Sequence, residues 1–318
     1  MNFLLEQLVD APFRAAFERL LNLLAVPGLS DVLANSEHEW WIDRGHGLER
    51  IPEFAISSND YNEVARFLVA LGDRHLDLIA PVVDVSFGVR TLPVLEQLGV
   101  ARLRVHAVLE SELSEQTLLS IRVHPAKGYS LDALSDSGMF NTVQHRMLLN
   151  LISRRQNFVI SGSGGSGKTT LLRAMLNESP TLRTVVVEDT AEILPVAGHV
   201  VGLQSRQANT EGAGAIELDV LARQALRMRP DRLVIGEVRG NEAKVLFHAM
   251  NTGHAGSAST IHANSSSQVA ERLRVLAASA GLPDESFAEV SATAIQWVIH
   301  LARVDGVRTI QSIEEFRP

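Results

Sequence analysis

The chain has 318 residues, 46% hydrophobic and 21% charged, with a formal net charge of −8 and no cysteine. That balance describes a globular protein of about two domains, and its acidic excess argues against stable nucleic-acid binding, leaving only a local basic channel open. It excludes a disulfide framework and any cysteine-ligated metal or cluster, and no apolar run approaches the ~18 residues of a membrane span. The longest apolar segment, 20–29, is broken by Asn22, Pro27 and Gly28. Glu6 and Asp10 stand where a signal peptide would be basic, so a cytoplasmic protein is expected.

Residues 2–25 place Leu4, Leu5, Leu8, Val9, Phe13, Phe17, Leu20, Leu21 and Leu24 on a helical period that Pro12 interrupts. One or two amphipathic helices follow, their stripe serving either a partner or their own domain. From Val26 the pattern turns to strands: 31–35, 39–44 and 48–51, with a Gly45-His46-Gly47 turn before the third. A helix is predicted over 61–71, then strands over 82–85, 101–108 and 118–123. Residues 26–125 thus read as a small α+β domain after a helical lead-in over 1–25. Pro125-Ala126-Lys127-Gly128 suits a linker, set at 126–130.

Residues 131–318 alternate strands and helices, as in an α/β domain with a mostly parallel sheet. Helices are predicted over 144–153, 169–177, 216–228, 241–250 and 268–280, and strands over 157–161, 184–188, 200–203, 233–236 and 257–261. Residues 207–215 are polar and Gly-rich and read as a mobile loop. Segments 297–304 and 307–313, around Asp305-Gly306, have the form of a β-hairpin.

Gly162-Ser163-Gly164-Gly165-Ser166-Gly167-Lys168-Thr169 reads G-x-x-x-x-G-K-[ST], between a short apolar strand and a helical segment. Glycines let several N–H groups turn toward one anion, and the helix N-terminus adds partial positive charge. Lys168 suits β- and γ-phosphates, the Thr169 hydroxyl suits Mg²⁺, and Thr170 is grouped with the nucleotide-binding residues.

Three downstream clusters accompany it. In Val185-Val186-Val187-Glu188-Asp189-Thr190-Ala191-Glu192 an apolar strand ends in acids. Glu188 either handles an attacking water or, with Asp189 and Glu192, caps the next segment. In Arg229-Pro230-Asp231-Arg232-Leu233-Val234-Ile235-Gly236-Glu237-Val238-Arg239, Glu237 follows a strand whose usual terminal Asp is replaced by Gly236. Metal coordination and water activation are both open to it. His254 and His262 flank a small-residue strand, either as γ-phosphate sensors or as ordinary core or surface residues.

Taken in order, the phosphate loop, V-E-D-T-A-E, R-P-D-x-x-x-x-G-E-V-R-G and T-G-H-x-G-S-x-S-T-x-H-A-N resemble the secretion ATPase superfamily of type II and type IV secretion and type IV pili. The nearest likeness is to CpaF-like ATPases of tight-adherence (Tad/Flp) pili. The resemblance implies a PAS-like N-terminal domain on a RecA-like, ATP- and Mg²⁺-dependent domain, assembled as a hexameric ring. It implies Lys168 and Thr169 as the Walker-A pair, Glu188 as water activator, and Glu237 as the acid of an atypical Walker-B strand. His254 and His262 fall in its histidine box. It also implies that Arg104 and Arg122, with Arg102 next, reach the γ-phosphate; otherwise they line a solvated strand face. Partners would be inner-membrane platform proteins, reached at the cytoplasmic face of the membrane without an anchor of the chain's own. A traffic ATPase of type IV secretion or DNA uptake, and a nucleotide-binding scaffold with little turnover, are the alternatives.

Overall fold

A computed structural model describes residues 11–45, 47–194, 196–206, 214–304 and 306–318. Residues 2–10 of the expected first helix, His46 of the expected turn, 207–213 of the expected loop and Asp305 of the hairpin turn lie outside the described residues. The chain divides into two units, Met1–Lys127 and Gly128–Pro318.

The first unit opens with helix α1 (Ala11–Leu24). Pro12 is the second of its described residues. Phe17, Leu20, Leu21 and Leu24 are buried in the unit's own core, and Phe13 and Phe17 meet Phe67 edge-on at ring distances of 5.5 and 5.1 Å.

Six antiparallel strands follow in spatial order β3-β2-β1-β6-β5-β4: β1 (Asp31–Ser36), β2 (Glu39–Asp43), β3 (Leu48–Arg50), β4 (Val82–Gly88), β5 (Val100–Val108) and β6 (Leu118–Pro125). Helix α2 (Ser58–Ala70) buries Tyr61, Val64, Ala65, Leu68 and Val69 in the same core. A single helical turn, α3 (Val94–Gln97), is too short for a periodicity to show in sequence. Alternation along β5 sends Leu103, Val105 and Ala107 inward and leaves Arg102, Arg104 and His106 on the opposite face. β6 does the same, with Leu119 and Ile121 inward and Arg122 opposite.

The second unit is a seven-stranded sheet in the order β13-β12-β7-β11-β10-β8-β9. Its strands are β7 (Phe158–Gly162), β8 (Thr184–Glu188), β9 (Val200–Gln204), β10 (Arg232–Ile235), β11 (Ala258–Ile261), β12 (Trp297–Val304) and β13 (Val307–Glu315). All pairs are parallel except β12 with β13. Successive residues of β7, β8 and β10 enter two separate cores, one on each face, which is why these strands read as unbroken apolar runs.

The helices are α4 (Leu131–Asp136), α5 (Thr142–Ser153), α6 (Lys168–Asn177), α7 (Leu218–Ala225), α8 (Glu242–Asn251), α9 (Val269–Ser279) and α10 (Asp284–Ala294). Two were not expected: α4 is barely more than one turn, and α10 buries only Phe287, Ser291 and Ala294. The expected terminal hairpin forms, but β12 is also an interior strand. It pairs with β7 from Trp297↔Phe158 to Leu301↔Gly162 and so lies directly beside the phosphate loop.

Candidate active site

Parallel pairing brings the carboxyl ends of β7, β11, β10 and β8 to one edge of the sheet, where ligands of open α/β folds bind. The Gly162–Thr169 segment leaves β7 there and turns directly into α6. Ser163, Gly164 and Gly165 form its exposed tip, while Ser166 and Lys168 are buried and Thr169 and Thr170 are half-buried. Gly167 is the left-handed N-cap of α6, with φ 97°.

The residues fit a nucleotide's phosphates. The loop sits on the N-terminus of a ten-residue helix. The Ser166 hydroxyl is buried inside it with no hydrogen-bond partner, a polar atom that suits a bound anion. Lys168 Nζ donates to the carbonyl oxygens of Gly162 at 2.9 Å and Ser163 at 2.8 Å. Burial lowers its pKa, partly offset by the Glu237 carboxylate.

His262 follows β11 and bridges the lysine to an acid. Its Nδ1 is 3.4 Å from Lys168 Nζ, and its Nε2 is 2.8 Å from Glu237 Oε1. Lysine can only donate, so Nδ1 accepts and the ring proton belongs on Nε2, facing the carboxylate. Burial, and then the charge of Lys168, hold the imidazole below its ordinary pKa, which suits this neutral tautomer. Arg239 completes the chain by donating to Glu237 Oε2, and that bond raises the arginine's own pKa. Oxygen donors for Mg²⁺ exist in Thr169 and Glu237; Glu237 Oε2 already accepts from Arg239, while Oε1 is buried without a hydrogen bond beside His262 Nε2.

Glu188 ends β8 and is buried. Its Oε1 accepts the N–H groups of Glu192 and Ile193, both at 3.0 Å, so part of the carboxylate caps the turn that follows. It lies against Gly236, where a Cβ would come within 2.8 Å of Glu188 Cγ. The absence of the usual Asp at the end of β10 thus has a steric reason: Glu188 fills the space that a side chain at 236 would need.

The two histidines do not meet. Pairing of Ala258 with Phe158 and Ile261 with Ser161 sets His262 level with the phosphate loop, and His254 at the other end of the sheet. There His254 Nδ1 lies 3.2 Å from the Ala249 carbonyl at the end of α8.

In the first unit Arg104 forks onto Asp84 through Nε at 3.2 Å and Nη2 at 2.7 Å, and Arg122 Nε reaches Asp31 at 3.0 Å. These pairs are partly exposed, so they hold the side chains in place with little energy. Arg102 Nη1 donates to Ser86 Oγ at 3.3 Å.

Two residues of this site were missed in the sequence. Glu242, buried at the start of α8, accepts the N–H groups of Arg239 and Gly240 and so shapes the backbone that carries Arg239. An acid in a first helical turn was the available signal. His300, on β12, has Nδ1 2.9 Å from Ser161 Oγ at the root of the loop, and no local pattern could reveal it.

A parallel sheet in the order β12-β7-β11-β10-β8, with a phosphate loop on β7 and acids at the ends of β10 and β8, defines a P-loop NTPase unit of the RecA-like kind. The family model "Type II/IV secretion system protein" matches residues 75–308, and the chain belongs to that family. A protein of Mycobacterium tuberculosis provisionally named for conjugal transfer is 39% identical over 284 residues, 88% of this chain and 78% of that one. Among solved structures, the pilus retraction motor PilT with bound ADP superimposes with a TM-score of 0.66 at 20% identity, covering 94% of this chain and 82% of that one. The Legionella pneumophila ATPase DotB gives 0.66 at 19% identity, covering 95% and 80%. At those identities the two structures speak for the fold.

Proposed function

We propose that the chain hydrolyses ATP and converts the hydrolysis into mechanical work for transport across a membrane. The observation that carries this is the Lys168–His262–Glu237–Arg239 chain set against a phosphate loop at the carboxyl edge of the sheet. Membership of the type II/IV secretion family supports the coupling to transport.

Loop N–H groups and Lys168 hold the β- and γ-phosphates. To do so the amine exchanges the carbonyls of Gly162 and Ser163 for phosphate oxygens and releases His262 Nδ1. The neutral imidazole keeps its Nε2–H beside Glu237, whose Oε1 is buried without a hydrogen bond of its own and so is left to act toward the terminal phosphate. Water attacks in line, the bond from γ-phosphorus to the bridging oxygen breaks, and charge grows on the departing ADP, where the loop and Lys168 already sit. Mg²⁺, held by Thr169 and Glu237, would supply further neutralisation of that charge. Two carboxylates are candidates for placing the water, Glu188 and Glu237. The first is the family-implied activator; the second lies beside the histidine that contacts the lysine. Glu188→Gln and Glu237→Gln, compared for kcat at saturating ATP, separate them. Arg104 and Arg122 are proposed to meet the γ-phosphate.

We further propose a homo-hexameric ring working with inner-membrane platform proteins at the cytoplasmic face of the membrane. The motif order supports Tad/Flp pilus assembly. The naming of the 39% identical relative for conjugal transfer supports the traffic-ATPase reading. Disrupting the gene in its host distinguishes them: loss of surface filaments supports the first, loss of conjugal transfer with filaments intact the second. Among the described residues no helix is long and apolar enough to cross a membrane. Phosphate release that is stimulated by a membrane partner and abolished by Lys168→Ala is the expected result. Turnover that survives the substitution would sink the assignment.

A further inference from the structure

A phosphate loop has an outer side as well as the inner side that faces the anion. Here the outer side is held by the last two strands of the sheet. Leu301 stands level with Gly162, and its carbonyl oxygen lies 2.4 Å from where a Cβ on Gly162 would be. Only a glycine permits that approach. The chain then turns into β13 and presents Arg308. Arg308 Nε donates to the carbonyl oxygen of Gly165 at 2.9 Å. Its Cδ and the Met139 Cε flank Gly167, 3.4 and 3.2 Å from that residue's Cβ position. The arginine is itself braced. Two residues on, the Ile310 N–H donates to the Met139 carbonyl at 2.8 Å, and Gln144 Nε2 donates to the Ile310 carbonyl at 3.0 Å.

We propose that Arg308 is a positioning residue for nucleotide binding, acting through the backbone of the phosphate loop. This rests on the nucleotide reading of that loop. In a trans peptide the C=O and the next N–H point to opposite sides. Drawing the Gly165 carbonyl outward therefore turns the Ser166 N–H inward. Among the described residues that N–H donates to the Ser163 carbonyl alone, at 3.4 Å, a long bond that a phosphate oxygen can replace. The tip is otherwise loose: a Cβ on Gly164 or Gly165 would meet nothing within 4 Å. Fixing one peptide of a glycine-rich loop before the ligand arrives removes ordering cost from the binding step.

The experiment compares full-length wild type, Arg308→Ala, Arg308→Lys and Lys168→Ala. Three quantities are read: hydrogen exchange of loop amides without nucleotide, Kd for a fluorescent ATP analogue, and kcat at saturating ATP. Arg308→Ala is expected to speed exchange within 163–167 alone and to weaken the analogue by about tenfold, with kcat changed less than about twofold. Lysine keeps the charge but cannot place an N–H where Nε stands, so Arg308→Lys should remain weak; it also serves if the alanine variant fails to fold. Unchanged loop exchange and Kd in Arg308→Ala overturn the proposal, as does full rescue by lysine, which would reduce the arginine to a charge. A wild type that binds no analogue overturns the nucleotide reading, while the exchange data still judge the brace.

Discussion

Gly236→Ala tests whether Glu188 dictates the residue at the end of β10. The new Cβ would sit 2.8 Å from Glu188 Cγ and 3.3 Å from its Oε1. Glu188 cannot swing aside freely, because it is buried and its Oε1 is held by two backbone N–H groups at 3.0 Å. Overpacking of this kind costs about 1–3 kcal/mol. Removing a glycine returns about 0.4–1 kcal/mol through the unfolded chain, since φ at 236 is not left-handed. The expected net loss is therefore about 1–2 kcal/mol. In a Glu188→Ala background the clash is gone and the same change should stabilise by about 0.4–1 kcal/mol. The sign thus reverses between backgrounds, with a coupling of about 1.5–3 kcal/mol. Wild type, both single variants and the double variant would be unfolded in urea and by calorimetry. For a unit of this size each kcal/mol moves Tm by about 2–4 °C. Equal losses in both backgrounds, within about 0.5 kcal/mol, would refute the steric account.

Two further outcomes follow from buried polar groups. Burial, reinforced by Arg122 and Arg102, pushes His124 from 6.5 down to about 4. Between those pH values the unfolded chain binds a proton that the fold refuses, so stability present above pH 6.5 falls as the pH drops to about 4. The loss is about 3 kcal/mol, and His124→Gln should flatten it; an unchanged acid slope would remove His124 as the cause. Ser166→Ala deletes the orphaned hydroxyl and should raise the melting free energy of nucleotide-free protein by about 1 kcal/mol, while weakening the gain on adding a non-hydrolysable ATP analogue. Destabilisation without nucleotide would contradict it.

The phosphate loop was legible because its chemistry is local: strand, glycines, lysine and helix are contiguous. So were Glu188 and Glu237, each ending an apolar run, because a strand buried on both faces announces itself by composition. The arginine face of the first unit was legible through the alternation of β5 and β6. Tertiary pairing decided the rest. His254 and His262 look equivalent in sequence, yet a four-residue parallel strand sends them to opposite ends of the sheet. Gly236 looked like a missing acid until Glu188, 48 positions earlier, was seen filling its space. The terminal segment read as a hairpin with no stated place in the sheet; β12 inserts beside β7 across 139 residues of chain and brings His300 and Arg308 to the phosphate loop. What this sequence determines alone is which groups can carry phosphate chemistry. Which of them meet depends on strand order and register, and those are set by long-range hydrogen bonding and core packing that no short window contains.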